Sequence, residues 1–185
     1  MPGRSAQLAA SATGFVLLQQ DGSVYTWGDA RYHASLGRVV SAAAPAERPG
    51  LLEALAGVPV GKVVAGGWLS AALSRDGDVY VWGMRGPGGE DVPEVLVAGE
   101  GEEARLVEVD GEGDVKDVGV GAGHVVVVAG EGRVFAVGEN GNGQLGLGES
   151  APGFVKEWRE VEELRGKNVV RVVCGAKTSF ALVRA

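Results

Sequence analysis

Short apolar runs alternate along the whole chain with turns rich in glycine and aspartate. In the clearest stretch, Lys62–Ala65 (KVVA) is an apolar run and Gly66 and Gly67 make a turn. Leu69–Leu73 is a second run, and Asp76-Gly77 closes a hairpin into Val79–Trp82. Asp-Gly between two apolar runs is a strong hairpin signal, because the tight turn needs a positive φ that glycine adopts without steric cost. The runs are near-continuous in Val, Leu, Trp and Phe, which predicts strands covered on both faces. A fourth strand is expected further along each unit, as at Glu160–Leu164, although Leu51–Leu55 reads equally as a short helical turn.

The pattern is periodic. DGSVYTWG at Asp21–Gly28 returns as DGDVYVWG at Asp76–Gly83 and as EGRVFAVG at Glu131–Gly138, each step being 55 residues. The preceding segments stay in phase: SATGFVLL from Ser11, GGWLSAAL from Gly66, GAGHVVVV from Gly121, and a fourth, GAKTSFAL, from Gly175. Four-stranded units repeating at roughly 40 to 55 residues are the mark of propeller blades. The expected architecture is all-β, one domain over 1–185, with repeats near 8–62, 63–117 and 118–171 and a partial repeat at 172–185. Gly22, Trp27 and Gly28, then Gly77, Trp82 and Gly83, then Gly132 and Gly138, hold equivalent structural places. Tyr25, Trp27, Tyr80, Trp82 and Phe135 are assigned to packing between blades, since a large aromatic buries about 150–250 Å².

Composition agrees with many tight turns: 32 glycines stand where average usage would give roughly 13. The net charge of -7 is concentrated between Glu90 and Asp117, where eleven acids face two bases and leave the rest of the chain slightly positive. A phosphate-tracking protein needs clustered Lys and Arg, so direct nucleic-acid binding is not expected. The single cysteine, Cys174, excludes an intramolecular disulfide and reads as core packing. No apolar stretch approaches the roughly 18 residues of a spanning helix, and a nuclear or cytoplasmic location is expected by default.

These residues resemble the regulator of chromosome condensation repeat, whose copies read as a Gly-rich turn, an apolar strand, DG-x-V-Y-x-W-G and a GQLG turn. GENGNGQLGLG at Gly138–Gly148 carries that last turn in full, with Gly143, Gln144, Leu145 and Gly146. ARYHASLG at Ala30–Gly37 and MRGPGGED at 84–91 depart from it. The family histidine, early in the second strand, is kept as His124, while Gly14, Leu69 and Thr178 hold the matching places. The resemblance implies a seven-bladed ring, of which this chain offers about three and a third blades. Two readings of that shortfall stand open: a truncated fragment without independent function, or a homodimer completing the ring.

Two histidines and one cysteine are a thin supply for catalysis, so no catalytic, cofactor or metal site is expected. The acids of 90–117 lack the spacing of a calcium loop, and no Lys-Ser or Lys-Thr follows GENGNG as a phosphate site requires. Binding fits better. Arg31, Tyr32 and His33 combine charge and aromatic surface, and the acidic loop 90–117, with Glu100, Glu102 and Glu103, could steer a basic partner. By resemblance, most closely to a vertebrate member through Pro49–Gly83 and the ending VVCGAKTSFALV, the partners implied are a Jumonji-type lysine demethylase or hydroxylase, or histones, in chromatin or cell-cycle regulation. Guanine-nucleotide exchange on a Ran-type GTPase is the alternative that the family implies.

Overall fold

The computed structural model describes residues 3–86, 92–97, 103–109 and 113–184. Three four-stranded antiparallel sheets and one two-stranded sheet follow in chain order. The first contains β1 (Ser5–Ala10), β2 (Gly14–Gln19), β3 (Val24–Gly28) and β4 (Gly50–Leu51). The second contains β5 (Val60–Gly66), β6 (Leu69–Ser74), β7 (Val79–Gly83) and β8 (Arg105–Val107), with helix α1 (Glu94–Val97) between its last two strands. The third contains β9 (Val115–Val120), β10 (His124–Ala129), β11 (Arg133–Glu139) and β12 (Phe154–Glu160), and the fourth β13 (Val169–Cys174) and β14 (Ser179–Val183). Each strand pairs with its neighbour in sequence, as in a meander, and the sheets stack as the blades of a partial propeller.

Stacking buries what a single blade would expose. Val16, Leu18 and Val24 meet Val60, Val63, Ala72 and Trp82 between the first two blades. Leu69, Ala71 and Val81 meet Val118, Val125 and Phe135 between the second and third. Val126, Val134 and Ala136 meet Val169 and Val172 between the third blade and the fourth sheet. The two ends of the arc stay open, with Leu8 and Phe15 exposed at one and Val173, Phe180 and Leu182 at the other.

The first strands are stapled across the blade boundaries by side chains one repeat apart. Gln7 donates to the carbonyl of Val63 at 2.6 Å and accepts from its N–H at 3.1 Å. Lys62 donates to the carbonyl of Val118 at 2.8 Å and to Asp117 at 2.6 Å. Asp117 in turn accepts from the N–H of Val172 at 2.7 Å. One position, held by Gln, Lys and Asp in successive blades, thus satisfies backbone groups of the next blade.

Two expectations need correction. The fourth strand of the third blade is Phe154–Glu160, not Glu160–Leu164, and Glu162–Leu164 forms a 3₁₀ turn, as Glu53–Leu55 does in the first. An outer strand has one solvated face, so FVKEWRE carries polar residues that an apolar run would not. The stretch 90–117 is not one acidic loop, since α1, β8 and the start of β9 lie in it. Its last acid, Asp117, is buried in the staple.

His124 is fully buried on the face of β10 that meets the fourth sheet, 2.9 Å from the hydroxyl of Ser179. Its ring lies against Gly121, where a Cβ would stand 2.1 Å from the imidazole. Burial holds its pKa below the ordinary value of 6.5, against an opposing hydrogen bond with the Thr178 backbone. A depressed folded pKa means the unfolded chain binds the proton first, so this contribution is whole above the unfolded value and lost as pH falls through the folded one. Urea midpoints should therefore drop as pH is lowered from about 7 to about 5.5, and His124→Gln should flatten that slope. An unchanged slope in the variant would remove His124 as its source.

Candidate protein-binding rim

In an antiparallel meander, the first-to-second and third-to-fourth connections emerge at the same end. The long connections 29–49 and 140–153 therefore share one rim with residues 84–86 after β7 and with the turns at 11–13, 67–68, 121–123 and 175–178. Backbone bonds tie neighbouring turns there, Ala12 N–H to Gly67 and Ala122 N–H to Ala176. The opposite end carries the hairpins of Gly22, Gly77 and Gly132, each at φ near +92 (+91, +94 and +92). Gly28, Gly83 and Gly138 close the third strands on the rim side, where a Cβ would come 2.2 Å from the carbonyl of Thr13, Trp68 or Gly123.

The first long connection opens with a 3₁₀ segment, Ala30–Leu36, capped by Asp29, whose side chain accepts from the N–H of Arg31. The Arg31 guanidinium also donates to Asp29, and together these bonds hold the carboxyl at about 2. Arg31 itself is 77% exposed, and its guanidinium lies over the Tyr32 ring, 5.5 Å from the centroid. Tyr32 meets Trp68 of the next blade edge-on, with ring centroids 5.1 Å apart and planes at 66°. His33 is exposed beside this ladder, its Nδ1 3.3 Å from the carbonyl of Ala30.

Rigidity under the ladder comes from Arg38, which is 3% exposed. Its guanidinium donates to the carbonyls of Thr26, Val39, Ala44, Pro45 and Arg48, so one side chain gathers the returning loop. In the third blade Asn140 and Gln144 organise the equivalent loop. Asn140 donates to the carbonyl of Pro152 and accepts from the N–H of Leu145, and Gln144 accepts from that of Asn142. Gln144 and Leu145 are buried, and Gly143 and Gly146 stand at positive φ.

The structure brings together Arg31 and Tyr32 and sets His33 beside them. Trp68 and Arg38 carried no repeat signal in the sequence, one being a turn residue and the other a lone base in a loop. Glu103 is exposed, while Glu100 and Glu102 lie outside the described residues. Trp27 stacks on Phe15 at the open end, with centroids 5.3 Å apart, and Trp82 is buried. Among the described residues no group of three His, Cys, Asp or Glu could hold a metal ion, and no helix is long and apolar enough to cross a membrane.

Comparison with known proteins agrees with this geometry. Two models of the regulator of chromosome condensation (RCC1) repeat match residues 131–182 and 115–144. Human RCC1 domain-containing protein 1 is 39% identical over 99 residues, 54% of this chain and 26% of that protein. The human E3 ubiquitin-protein ligase HERC2 is 32% identical over 172 residues, 91% of this chain and 3% of that protein. This chain thus spans a minor part of each relative. Human WBSCR16 superposes with a TM-score of 0.81 at 24% identity, over 100% of this chain and 46% of that one. Prp20p from Saccharomyces cerevisiae, studied for its binding to Gsp1p and histones, gives 0.75 at 22% identity, over 97% and 44%. Both structural likenesses are of fold. With its 55-residue period, its stacked four-stranded sheets and these matches, the chain carries regulator of chromosome condensation repeats and builds part of a propeller of that kind.

Proposed function

We propose that this chain is a non-enzymatic protein-interaction scaffold whose binding face is the rim around Arg31, Tyr32 and Trp68. The observation that carries this reading is the cation–aromatic–aromatic ladder crossing from the first blade to the second. Tyr, Trp and Arg dominate interface hot spots because each offers large contact area together with a polar handle. Here the loop beneath is already ordered by Arg38, so little conformational entropy remains to be lost on binding.

The resemblance read in Pro49–Gly83 and in the ending VVCGAKTSFALV makes a Jumonji-type lysine demethylase or hydroxylase the first candidate partner, and the fold shared with Prp20p, studied for its binding to histones, makes histones the second. Both point to chromatin or cell-cycle regulation in the nucleus or cytoplasm. Affinity purification of the full chain from its own cells, followed by mass spectrometry, tests this. The Jumonji-type protein should be recovered with the native chain and reduced about tenfold or more with the double variant Tyr32→Ala/Trp68→Ala, as loss of a hot-spot pair entails. Equal recovery with both chains would place the binding face elsewhere. Nucleotide-exchange activity on a Ran-type GTPase is the second reading, prompted by the fold shared with Prp20p. An unchanged nucleotide-release rate in the presence of the chain would dismiss it.

A further inference from the structure

The two rings of the rim ladder come from neighbouring blades, and the backbone under each is fixed. Tyr32 lies in the 3₁₀ segment after β3. Its N–H donates to the carbonyl of Asp29 at 3.0 Å, and its carbonyl accepts from the Ser35 hydroxyl at 2.8 Å. Ser35 is in turn 3.1 Å from the hydroxyl of Thr13 in the first turn of the rim. Trp68 lies in the turn between β5 and β6, where the carbonyl of Gly67 accepts from Ala12 and that of Trp68 from Met84. Both side chains are half-buried, so each keeps part of its ring toward solvent.

The charges on this segment already answer one another. Arg31 Nε donates to both oxygens of Asp29, at 3.0 and 3.1 Å, and Nη2 to Oδ2 at 2.5 Å. With the Asp29 carboxyl held at about 2, the pair persists throughout the neutral range. A cationic ligand would meet Arg31, which already lies over Tyr32, and an anionic one would have to displace Asp29 from the guanidinium. Charge complementarity therefore selects a neutral occupant. The ring contact at 5.1 Å closes the space between the two aromatics, so the face is a stepped ledge with planes at 66° and admits no plug between them. Its polar groups are the Tyr32 hydroxyl and the Trp68 indole N–H, both able to donate, and no hydrogen bond among the described residues engages either.

A run of prolines fits each of these properties. It is neutral, its rings pack on aromatic surfaces, and it offers carbonyl acceptors without a single backbone N–H. Its polyproline II shape is set before binding, so little entropy is lost when it docks on a ledge that is itself fixed. We propose that the partner docks here through a proline-rich segment in the polyproline II conformation, its rings packed on Tyr32 and Trp68 and its carbonyls accepting from the indole N–H and the hydroxyl. This rests on the rim being the binding face and names what that face receives.

The probe is labelled decaproline, titrated into the full chain and followed by anisotropy, with a Gly-Ser decapeptide carrying one trimethyllysine as the cationic comparison. Saturable binding of decaproline is expected, weakened about tenfold or more by Tyr32→Ala/Trp68→Ala, as loss of an aromatic pair entails. Trp68→Phe keeps a ring and loses the N–H, and should weaken binding about threefold or more, the share of one hydrogen bond. Circular dichroism verifies that each variant keeps its fold. Absence of saturable binding, decaproline binding that the double variant leaves unchanged, or tighter binding of the trimethyllysine peptide overturns the proposal. Should decaproline fail to bind while the double variant still loses its partner from cells, the proline reading falls and the rim assignment stands.

Discussion

Trp82→Ala is expected to lower the unfolding free energy by about 4 kcal/mol, while Trp27→Ala, one repeat earlier, costs about 1 kcal/mol. The two side chains occupy the same place in the repeat and differ in what stands before them. Trp82 is 2% exposed, packed against the first blade and resting on Gly37. Its removal loses the transfer energy of an indole and leaves a cavity that Gly37, at φ +68 with no side chain, cannot fill. Trp27 stacks on Phe15 at the open end, so its loss removes one ring pair from a half-solvated face. Urea unfolding of the two variants beside the parent gives both numbers, and the melting point of the first should fall by roughly 10 °C. Equal costs would show that the side of the first blade bearing Trp27 is covered as well as that of the second.

The staple predicts the second large effect. Asp117→Ala removes the acceptor of both the Lys62 ammonium and the Val172 N–H, and its carboxylate is 9% exposed. Breaking one side of a largely buried ion pair costs about 3–5 kcal/mol, mostly because the remaining groups are left unsatisfied. Since Lys62 keeps 21% exposure and its bond to Val118, the lower end of that range, about 3 kcal/mol, is expected. Lys62→Met should cost less, because Asp117 then still satisfies Val172. A double-mutant cycle of the two positions checks the assignment, and a coupling energy near zero would show that the pair acts independently.

Strand order and blade number were legible because the repeat fixes both. Val79–Trp82 and Val134–Val137 announce third strands by matching residues, and the Asp-Gly or Glu-Gly turn before each sets the register. The fourth strand was misplaced because its outer face is solvated, so Phe154–Glu160 reads FVKEWRE, with mixed character, and stands out no more clearly than the 3₁₀ turn EEL that follows it. The staple was invisible for a different reason. Gln7, Lys62 and Asp117 share a position and a task but no chemistry, and each reaches the next blade by a donor or acceptor suited to its own end group. At the rim, Arg31, Tyr32 and His33 stood out as a cluster, whereas Trp68 joins them across 36 residues of chain through a contact that only stacking creates.

The seating of Trp82 on Gly37 also gives the arc a sense of rotation. The second blade projects Trp82 backward onto the Leu36-Gly37 bed that the first blade offers forward, so the two sides of the first blade are different in kind: one shows Trp27, the other the bed at Gly37. Two blades meeting by like sides would oppose ring to ring or bed to bed. Stacking of these two blades therefore has a single direction, set by the side on which the third strand of the second presents its indole.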